Sequence, residues 1–219
     1  MRQHVNPLSR FFQSYIDIPS PEDIFLNPEL PIHLDIGCAK GQYLLDFASN
    51  EKKWNFLGID IRSSLITFAE IERNKLGIEN LYFVFCNANV SIEKWLLKLR
   101  YNQLQRVSIQ FPDPWFKKKH RKRRVLQPSL LLALTSSLNP GAEIFLQSDV
   151  YNVIEPMVNL IQLTGCYDLI DNERIWIDEN PFNVPTEREK YSLERNLKIY
   201  RSIFFRNKRP ICSSLLENI

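Results

Sequence analysis

Closely spaced metal-binding residues are scarce in this sequence. Its 219 residues contain four cysteines, which lie far apart and form no C-x-x-C pair, and three histidines that also lack ligand spacing. Structural zinc sites and disulfide frameworks depend on such spacing. We therefore predict reduced, mostly buried thiols and no bound metal ion.

Long apolar runs are missing as well. No apolar segment follows the N-terminal residues Met1 to Pro7, as a signal peptide would require. A membrane helix would need about 20 consecutive apolar residues. The sequence thus indicates a cytoplasmic protein that is not inserted in a membrane.

The remaining composition is typical of one globular domain. Apolar residues make up 44% of the chain, and its length suits a single sizeable α/β domain. We predict this domain over residues 1–206, with an N-terminal arm at 1–20 and a loose tail at 207–219. The sequence leaves both a monomer and a homodimer open.

Short apolar runs rich in β-formers alternate with helical patterns along the chain. Such alternation is typical of a doubly wound α/β fold with a parallel sheet. After Gly165 two strand-like runs follow with no long helix between them, which favours an antiparallel pair at the edge. We therefore predict a mostly parallel seven-stranded sheet with an antiparallel edge strand. The predicted strands are 31–36, 54–61, 81–86, 106–111, 142–147, 167–170 and 200–205, and the predicted helices are 41–50, 63–76, 92–100, 128–138 and 150–163.

Polar residues stand at the ends of the first three predicted strands. Asp35 precedes a turn that contains Gly37 and Gly41, where the backbone can approach a ligand closely. Asp60 ends the second strand, in a position to accept hydrogen bonds from both hydroxyls of a ribose. Asn87 follows the third strand and offers a donor and an acceptor to an adenine edge.

The first turn favours one nucleotide cofactor over another. A dinucleotide fingerprint has a third glycine where this chain has Gln42. The charge of Asp35 would repel a pyrophosphate but attract the amino group or sulfonium of S-adenosylmethionine. We therefore predict S-adenosylmethionine as the cofactor, with a nicotinamide oxidoreductase as a weaker alternative.

The segment after the fourth strand has the composition of a base-recognition loop. Two prolines flank Asp113, whose carboxylate can accept hydrogen bonds from N1–H and the N2 amine of guanine. Trp115 can either stack on a base or pack beneath the loop. Because N7 of guanine carries no proton, its methylation needs no general base, so we expect Asp113 to orient the base.

A compact basic run continues this loop. Residues 117–124 hold seven of the 28 lysines and arginines and no acid, so the rest of the chain has 21 against 25 acidic residues. A basic patch on a mildly acidic body indicates a local polyanion site. A targeting or solvated segment is the alternative for the run taken alone.

The stretch from Phe111 to Leu126, FPDPWFKKKHRKRRVL, resembles the bacterial tRNA (guanine-N7-)-methyltransferase family of class I methyltransferases. Further matching segments are RQHVNPLS at 2–9, LQSD at 146–149 and TEREK at 186–190. The resemblance extends to about Phe205. It implies methyl transfer to N7 of guanosine 46 in the variable loop of tRNA.

The resemblance also implies roles for individual residues. It implies that Asp35, Asp60 and Asn87 bind the cofactor. Asp113 is implied both to contact the cofactor and to take part in catalysis. Substrate contacts are implied for Lys117, Asp149, Thr186, Glu187, Arg188 and Glu189, and RNA contacts for Lys119, His120, Arg121, Lys122, Arg123 and Arg124.

Two other functions fit part of the same pattern. The segment from Asp113 to Trp115 imitates the polar-proline-aromatic motif of amino methyltransferases that act on adenine or cytosine, although the second proline is missing. A catalytically inactive RNA-binding protein of the same fold is the other alternative, against which the retained acidic residues argue.

Overall fold

The computed structural model describes residues 5–170 and 174–211. Seven strands in this part of the chain form one sheet in the order β3-β2-β1-β4-β5-β7-β6. The strands are β1 Ile32–Ile36, β2 Asn55–Asp60, β3 Leu81–Phe85, β4 Leu104–Gln110, β5 Glu143–Ser148, β6 Tyr167–Leu169 and β7 Tyr200–Arg206.

The strand directions confirm the predicted fold class. Strands β1 to β5 pair in parallel, and β7 runs antiparallel to both β5 and β6. The antiparallel strand β7 therefore lies one position in from the edge, and the short β6 forms the edge itself. The strand order reverses between β1 and β4, the place where open α/β sheets bind their ligands.

Seven α-helices and two 3-10 helices connect the strands of the described chain. The prediction was wrong for α4, which begins at Ala88 rather than at 92, because the Asn87 side chain accepts a hydrogen bond from the backbone N of Asn89 (3.1 Å) and caps it. The sequence analysis also missed α7, an eight-residue helix between β6 and β7, although Thr186 and Glu189 have the spacing of a capping box. The α-helices are α1 Pro21–Ile24, α2 Gln42–Asn50, α3 Ser63–Leu76, α4 Ala88–Leu96, α5 Pro128–Ser137, α6 Tyr151–Leu163 and α7 Glu187–Glu194, and the 3-10 helices are Arg10–Gln13 and Lys118–Arg123.

Helices cover both faces of the sheet, so its central strands are buried throughout. Every residue of β1 and β2 is buried, as expected of parallel strands between two helical layers. The larger cluster of core residues includes Trp95 of α4, and the smaller one includes Phe56 and Phe83. Among the described helices, none is both long enough and apolar enough to cross a bilayer.

The three cysteines of the described chain, Cys38, Cys86 and Cys166, are free and buried, as predicted. Cys212 and most of the predicted loose tail, residues 212–219, lie outside the described residues, as do residues 1–4 of the N-terminal arm.

Candidate active site

Two adjoining cavities open at the carboxyl ends of the parallel strands. The Asp60 cavity, about 120 Å³, is lined by Asp60, Asn87 and Trp115 among others. The Asp35 cavity, about 340 Å³, is lined by Asp35 and by the start of α7. Asp113 lines both cavities and therefore lies where they meet. The carboxylates that the sequence placed at separate strand ends thus share one cleft. Gly37, Arg62, Gln110 and Phe111 also line both cavities.

Asp60 is held by an arginine that the sequence analysis did not single out. Its Oδ1 accepts hydrogen bonds from the backbone N (2.8 Å) and Nε (2.9 Å) of Arg62. Its Oδ2 accepts from a second guanidinium nitrogen of Arg62 (2.9 Å) and from the backbone N of Ala39 (3.0 Å). A ribose that binds Asp60 therefore has to displace part of the Arg62 guanidinium. The position of Arg62, two residues after Asp60, was the only signal for this pair.

Asp35 has a different environment. Its side chain is almost fully buried, and its Oδ1 accepts hydrogen bonds from Ser108 Oγ and from Gln110 Nε2 (3.3 Å). Burial raises the pKa of Asp35 to about 6, against the two hydrogen bonds, which lower it. Among the described residues no lysine or arginine forms an ion pair with Asp35. The carboxylate therefore lacks the cationic partner that a buried charge usually has.

The glycine turn between β1 and α2 is set by close packing. A Cβ atom on Gly41 would lie 2.3 Å from Cζ of Phe83, and the residue adopts a positive φ of 74°. Gly37 also has a positive φ, of 89°, and lines both cavities. Gly37 thus belongs to the wall of the cleft, whereas Gly41 is required by its contact with β3.

Asn87 fastens the N-terminal arm over the Asp60 cavity. Its Nδ2 donates hydrogen bonds to the backbone oxygens of Pro7 (3.3 Å) and Phe12 (3.1 Å). Pro7 lines the cavity, and the Phe12 ring packs against Phe85, with 6.5 Å between the ring centroids. The amide expected to contact adenine therefore holds the arm that covers this cavity.

The loop after β4 forms the wall between the cavities and the basic run. The ring of Trp115 packs edge-on against His120 (5.4 Å between centroids) and lies under the guanidinium of Arg123 (5.0 Å), and it also lines the Asp60 cavity. Arg124 Nε donates to the backbone oxygen of Trp115 (3.3 Å). The ring thus packs within the loop and also faces the cleft.

The basic run forms the second 3-10 helix, beside the cleft. The side chains of Lys117, Lys119, Arg121 and Lys122 are exposed, whereas His120, Arg123 and Arg124 are half-buried. Desolvation and the neighbouring cations lower the pKa of His120, which favours the neutral imidazole. The exposed lysines and arginines form a cationic surface next to the Trp115 ring.

The start of α7 lies opposite the glycine turn, across the Asp35 cavity. Thr186 Oγ1 accepts a hydrogen bond from the backbone N of Glu189 (3.0 Å) and caps the helix. Thr186, Glu187 and Arg188 line the cavity. Arg188 forms an ion pair with Asp149, whose side chain is only 4% exposed.

Glu189 faces the interior. Its side chain is buried and pairs with Arg201 (2.8 Å), and it accepts hydrogen bonds from Asn180 (2.9 Å) and Gln147 (3.0 Å). In the predicted substrate segment, residues 186–188 thus face the cavity, whereas the Glu189 carboxylate points inward and holds them in place. Gln147 and Arg201 belong to this support, and sequence reasoning missed both because their partners are distant along the chain.

Solved methyltransferases share this fold. The structure is similar to the 16S rRNA methyltransferase KamB (TM-score 0.58, 13% identity, 83% of this chain and 91% of that chain). It is also similar to an rRNA methylase from Streptococcus thermophilus (TM-score 0.52, 12% identity, 86% and 92%). A family described as "Putative methyltransferase" matches residues 29–202. The fold is therefore that of a Rossmann-like class I methyltransferase.

Curated relatives specify the family. A tRNA (guanine-N(7)-)-methyltransferase from Parasynechococcus marenigrum (strain WH8102) is 56% identical over 212 residues, 96% of this chain and 90% of the relative. One from Prochlorococcus marinus (strain NATL1A) is 49% identical over 208 residues, 94% of this chain and 97% of the relative. The chain belongs to the tRNA (guanine-N(7)-)-methyltransferase family, which confirms the resemblance seen in the sequence.

Proposed function

We propose that this protein transfers a methyl group from S-adenosylmethionine to N7 of a guanosine in tRNA, guanosine 46 of the variable loop, and so forms 7-methylguanosine. The observation that carries the proposal is the meeting of the Asp35 and Asp60 cavities at Asp113, beside an exposed basic helix. tRNA is the proposed partner, and the cytoplasm is the proposed location.

The residues of the cleft fit the proposed donor. Within the described chain, hydrogen bonds to Asp35 reach Oδ1 alone, so Oδ2 is left for the donor's amino group. An ammonium group there would supply the cation that this buried carboxylate lacks. Asp60 suits the ribose hydroxyls, and the Asp60 cavity beneath the N-terminal arm suits the adenine.

The donor supplies an electrophilic methyl group on a sulfonium, and the protein has to place guanine N7 in line with it. Holding the two reacting atoms about 3 Å apart and in line lowers the barrier, because their relative motion is already restricted by binding. The carboxylate of Asp113 can hold the guanine by accepting hydrogen bonds from N1–H and the N2 amine of the base. Its charge also stabilises the positive charge that the purine gains as the methyl group arrives.

The RNA has to present the target base outside a helix. N7 lies on the major-groove edge of guanine, and side chains cannot enter the deep major groove of an RNA helix. A base in a loop, splayed out of its stack, meets this requirement. The exposed cations of residues 117–122 would then bind the flanking phosphates.

The direct test is incubation of the purified protein with methyl-labelled S-adenosylmethionine and unmodified bulk tRNA, followed by nucleoside analysis. We expect labelled 7-methylguanosine, and chemical cleavage at the methylated base is expected to map it to position 46. tRNA already methylated at this site is the matched control and should take up no label. Label on the exocyclic amine of adenine or cytosine would contradict the proposal.

A further inference from the structure

A chain of hydrogen-bonded side chains crosses the sheet beneath the cleft. Arg201 of β7 donates from Nε to Oε1 of Gln147 in β5 (3.2 Å). Gln147 donates from Nε2 to Oε1 of Gln110 in β4 (2.6 Å), and Gln110 donates from Nε2 to Oδ1 of Asp35 in β1 (3.3 Å). Gln110 and Gln147 are register partners, as are Gln147 and Arg201, so the sheet itself brings these side chains together.

The chemistry of the two ends fixes the direction of this chain. An arginine only donates hydrogen bonds and a carboxylate only accepts them, whereas an amide has one end of each kind. Both glutamine amides must therefore point their nitrogens toward Asp35. Rotation of either amide by half a turn would bring like groups together at both of its ends, and a buried polar group without its partner is costly.

Gln147 is the branch point of the chain. Its Nε2 also donates to Oε2 of Glu189 (3.0 Å), which belongs to the capping box at the start of α7. Gln147 itself is completely buried and therefore cannot contact a ligand directly. The Gln147 amide thus holds Gln110 on the Asp35 side of the cavity and the start of α7 on the opposite side.

We propose that Gln147 is a positioning residue that couples the donor side of the cleft to the base side. Through Gln110 it fixes the carboxylate of Asp35, and through Glu189 it fixes Thr186 and Arg188. The identification of the two ligands as the methyl donor and the guanine base rests on the proposed function. The coupling between the two sides of the cleft rests on the hydrogen bonds of Gln147.

Two substitutions separate the branches of this chain. Gln110→Met removes the donor to Asp35 and leaves the contact between Gln147 and Glu189. Gln147→Met removes both branches at similar side-chain volume. Tyr167→Phe is the control, because it removes one buried hydrogen bond, to Thr135 (2.8 Å), that has no connection to the cleft.

The measurements are the Kd for S-adenosylhomocysteine by calorimetry, and the KM for unmodified tRNA at saturating donor. We expect Gln110→Met to weaken S-adenosylhomocysteine binding about tenfold, as for a lost hydrogen bond to a charged group. Gln147→Met should weaken both by about tenfold. The double variant should bind S-adenosylhomocysteine no more weakly than Gln147→Met alone, and Tyr167→Phe should change neither quantity.

A Gln147→Met protein that alters only one of the two quantities, or that behaves like Tyr167→Phe, would overturn the coupling. Should Gln147→Met fail to fold by circular dichroism, Gln147→Asn replaces it, since an amide one methylene shorter cannot reach both partners and should show the same double loss. Wild-type protein that binds no S-adenosylhomocysteine would overturn the proposed function as well. Wild-type methylation combined with unaffected variants would overturn the coupling alone.

Discussion

Asp35 and Asp60 end neighbouring strands of one sheet, yet their carboxylates have opposite surroundings. Asp60 accepts hydrogen bonds from a guanidinium and from two backbone nitrogens. Within residues 5–170 and 174–211, Asp35 accepts hydrogen bonds from neutral groups alone, those of Ser108 and Gln110. The protein thus neutralises Asp60 with its own cation, whereas Asp35 is buried with no cationic partner in the described part of the chain. A carboxylate of the second kind is suited to bind a cationic ligand, at a cost to the stability of the free protein.

The largest effect is expected for Asp35→Asn. The variant keeps the shape and an acceptor oxygen but removes the charge that faces the donor's ammonium, so S-adenosylhomocysteine binding should weaken by on the order of 100-fold. Calorimetry measures this, with Asp168→Asn as the matched control, because this exposed carboxylate of the edge strand β6 lines neither cavity. Retained affinity in Asp35→Asn would contradict the assignment of Asp35 to the donor.

The same variant should stabilise the free protein. Because burial raises the pKa of Asp35 in the folded state to about 6 from 3.8, the ionised group opposes folding above that pH, and stability rises as pH falls toward 4. At pH 7 Asp35→Asn should therefore gain up to about 3 kcal/mol in free energy of unfolding. Urea denaturation of the ligand-free protein tests this, and a loss of stability at pH 7 would contradict it.

Asp60→Asn should act in the opposite direction on stability. The amide nitrogen of the new asparagine would face either the Arg62 guanidinium or the backbone N of Ala39. In both cases hydrogen-bond donors of the protein would lose their acceptor. We expect a loss of about 1–3 kcal/mol in free energy of unfolding, reduced by the partial exposure of Arg62. The same denaturation experiment measures it. If both variants changed stability with the same sign, the contrast between the two carboxylates would be wrong.

Donor binding should depend on pH through Asp35. Since the ligand's ammonium favours the ionised carboxylate, affinity should be constant above about pH 6 and fall up to tenfold per pH unit below it. Calorimetry with S-adenosylhomocysteine between pH 5 and 7 tests this. The dependence should disappear in Asp35→Asn and persist in Asp60→Asn, and an unchanged profile in Asp35→Asn would assign the titration to another group.

The smallest effects are expected on the exposed basic helix. Neutralising Arg121 or Lys122 should weaken tRNA binding only a few-fold each and reduce the slope of its salt dependence by about one. Filter binding at several salt concentrations measures this. S-adenosylhomocysteine binding should be unchanged, and its loss in these variants would show that the cations serve the donor cavity.

Sequence patterns predicted the positions of the buried strands and of the acids at their ends, but not the contacts that support the site. The buried strands and the acids at their ends are local features, which is why Asp35, Asp60 and Asp113 were found. Arg201 and Gln147 lie 54 residues apart and meet only through the pairing of β5 with β7. Likewise, the Asn87 amide contacts Pro7 and Phe12 because the N-terminal arm lies over the cavity, far along the chain from Asn87. Contacts of this kind depend on tertiary packing, which a single sequence does not display.

Asp113, where the two cavities meet, is proposed to position the guanine and to take no proton from it. Single-turnover rates of methyl transfer to unmodified tRNA, at saturating donor between pH 6.5 and 9, test it with wild type and Asp113→Asn side by side. We expect a lower rate in the variant at every pH, with a pH profile of the same shape as the wild type. A wild-type rate that follows one deprotonation, lost in Asp113→Asn, would contradict the account and make Asp113 a general base.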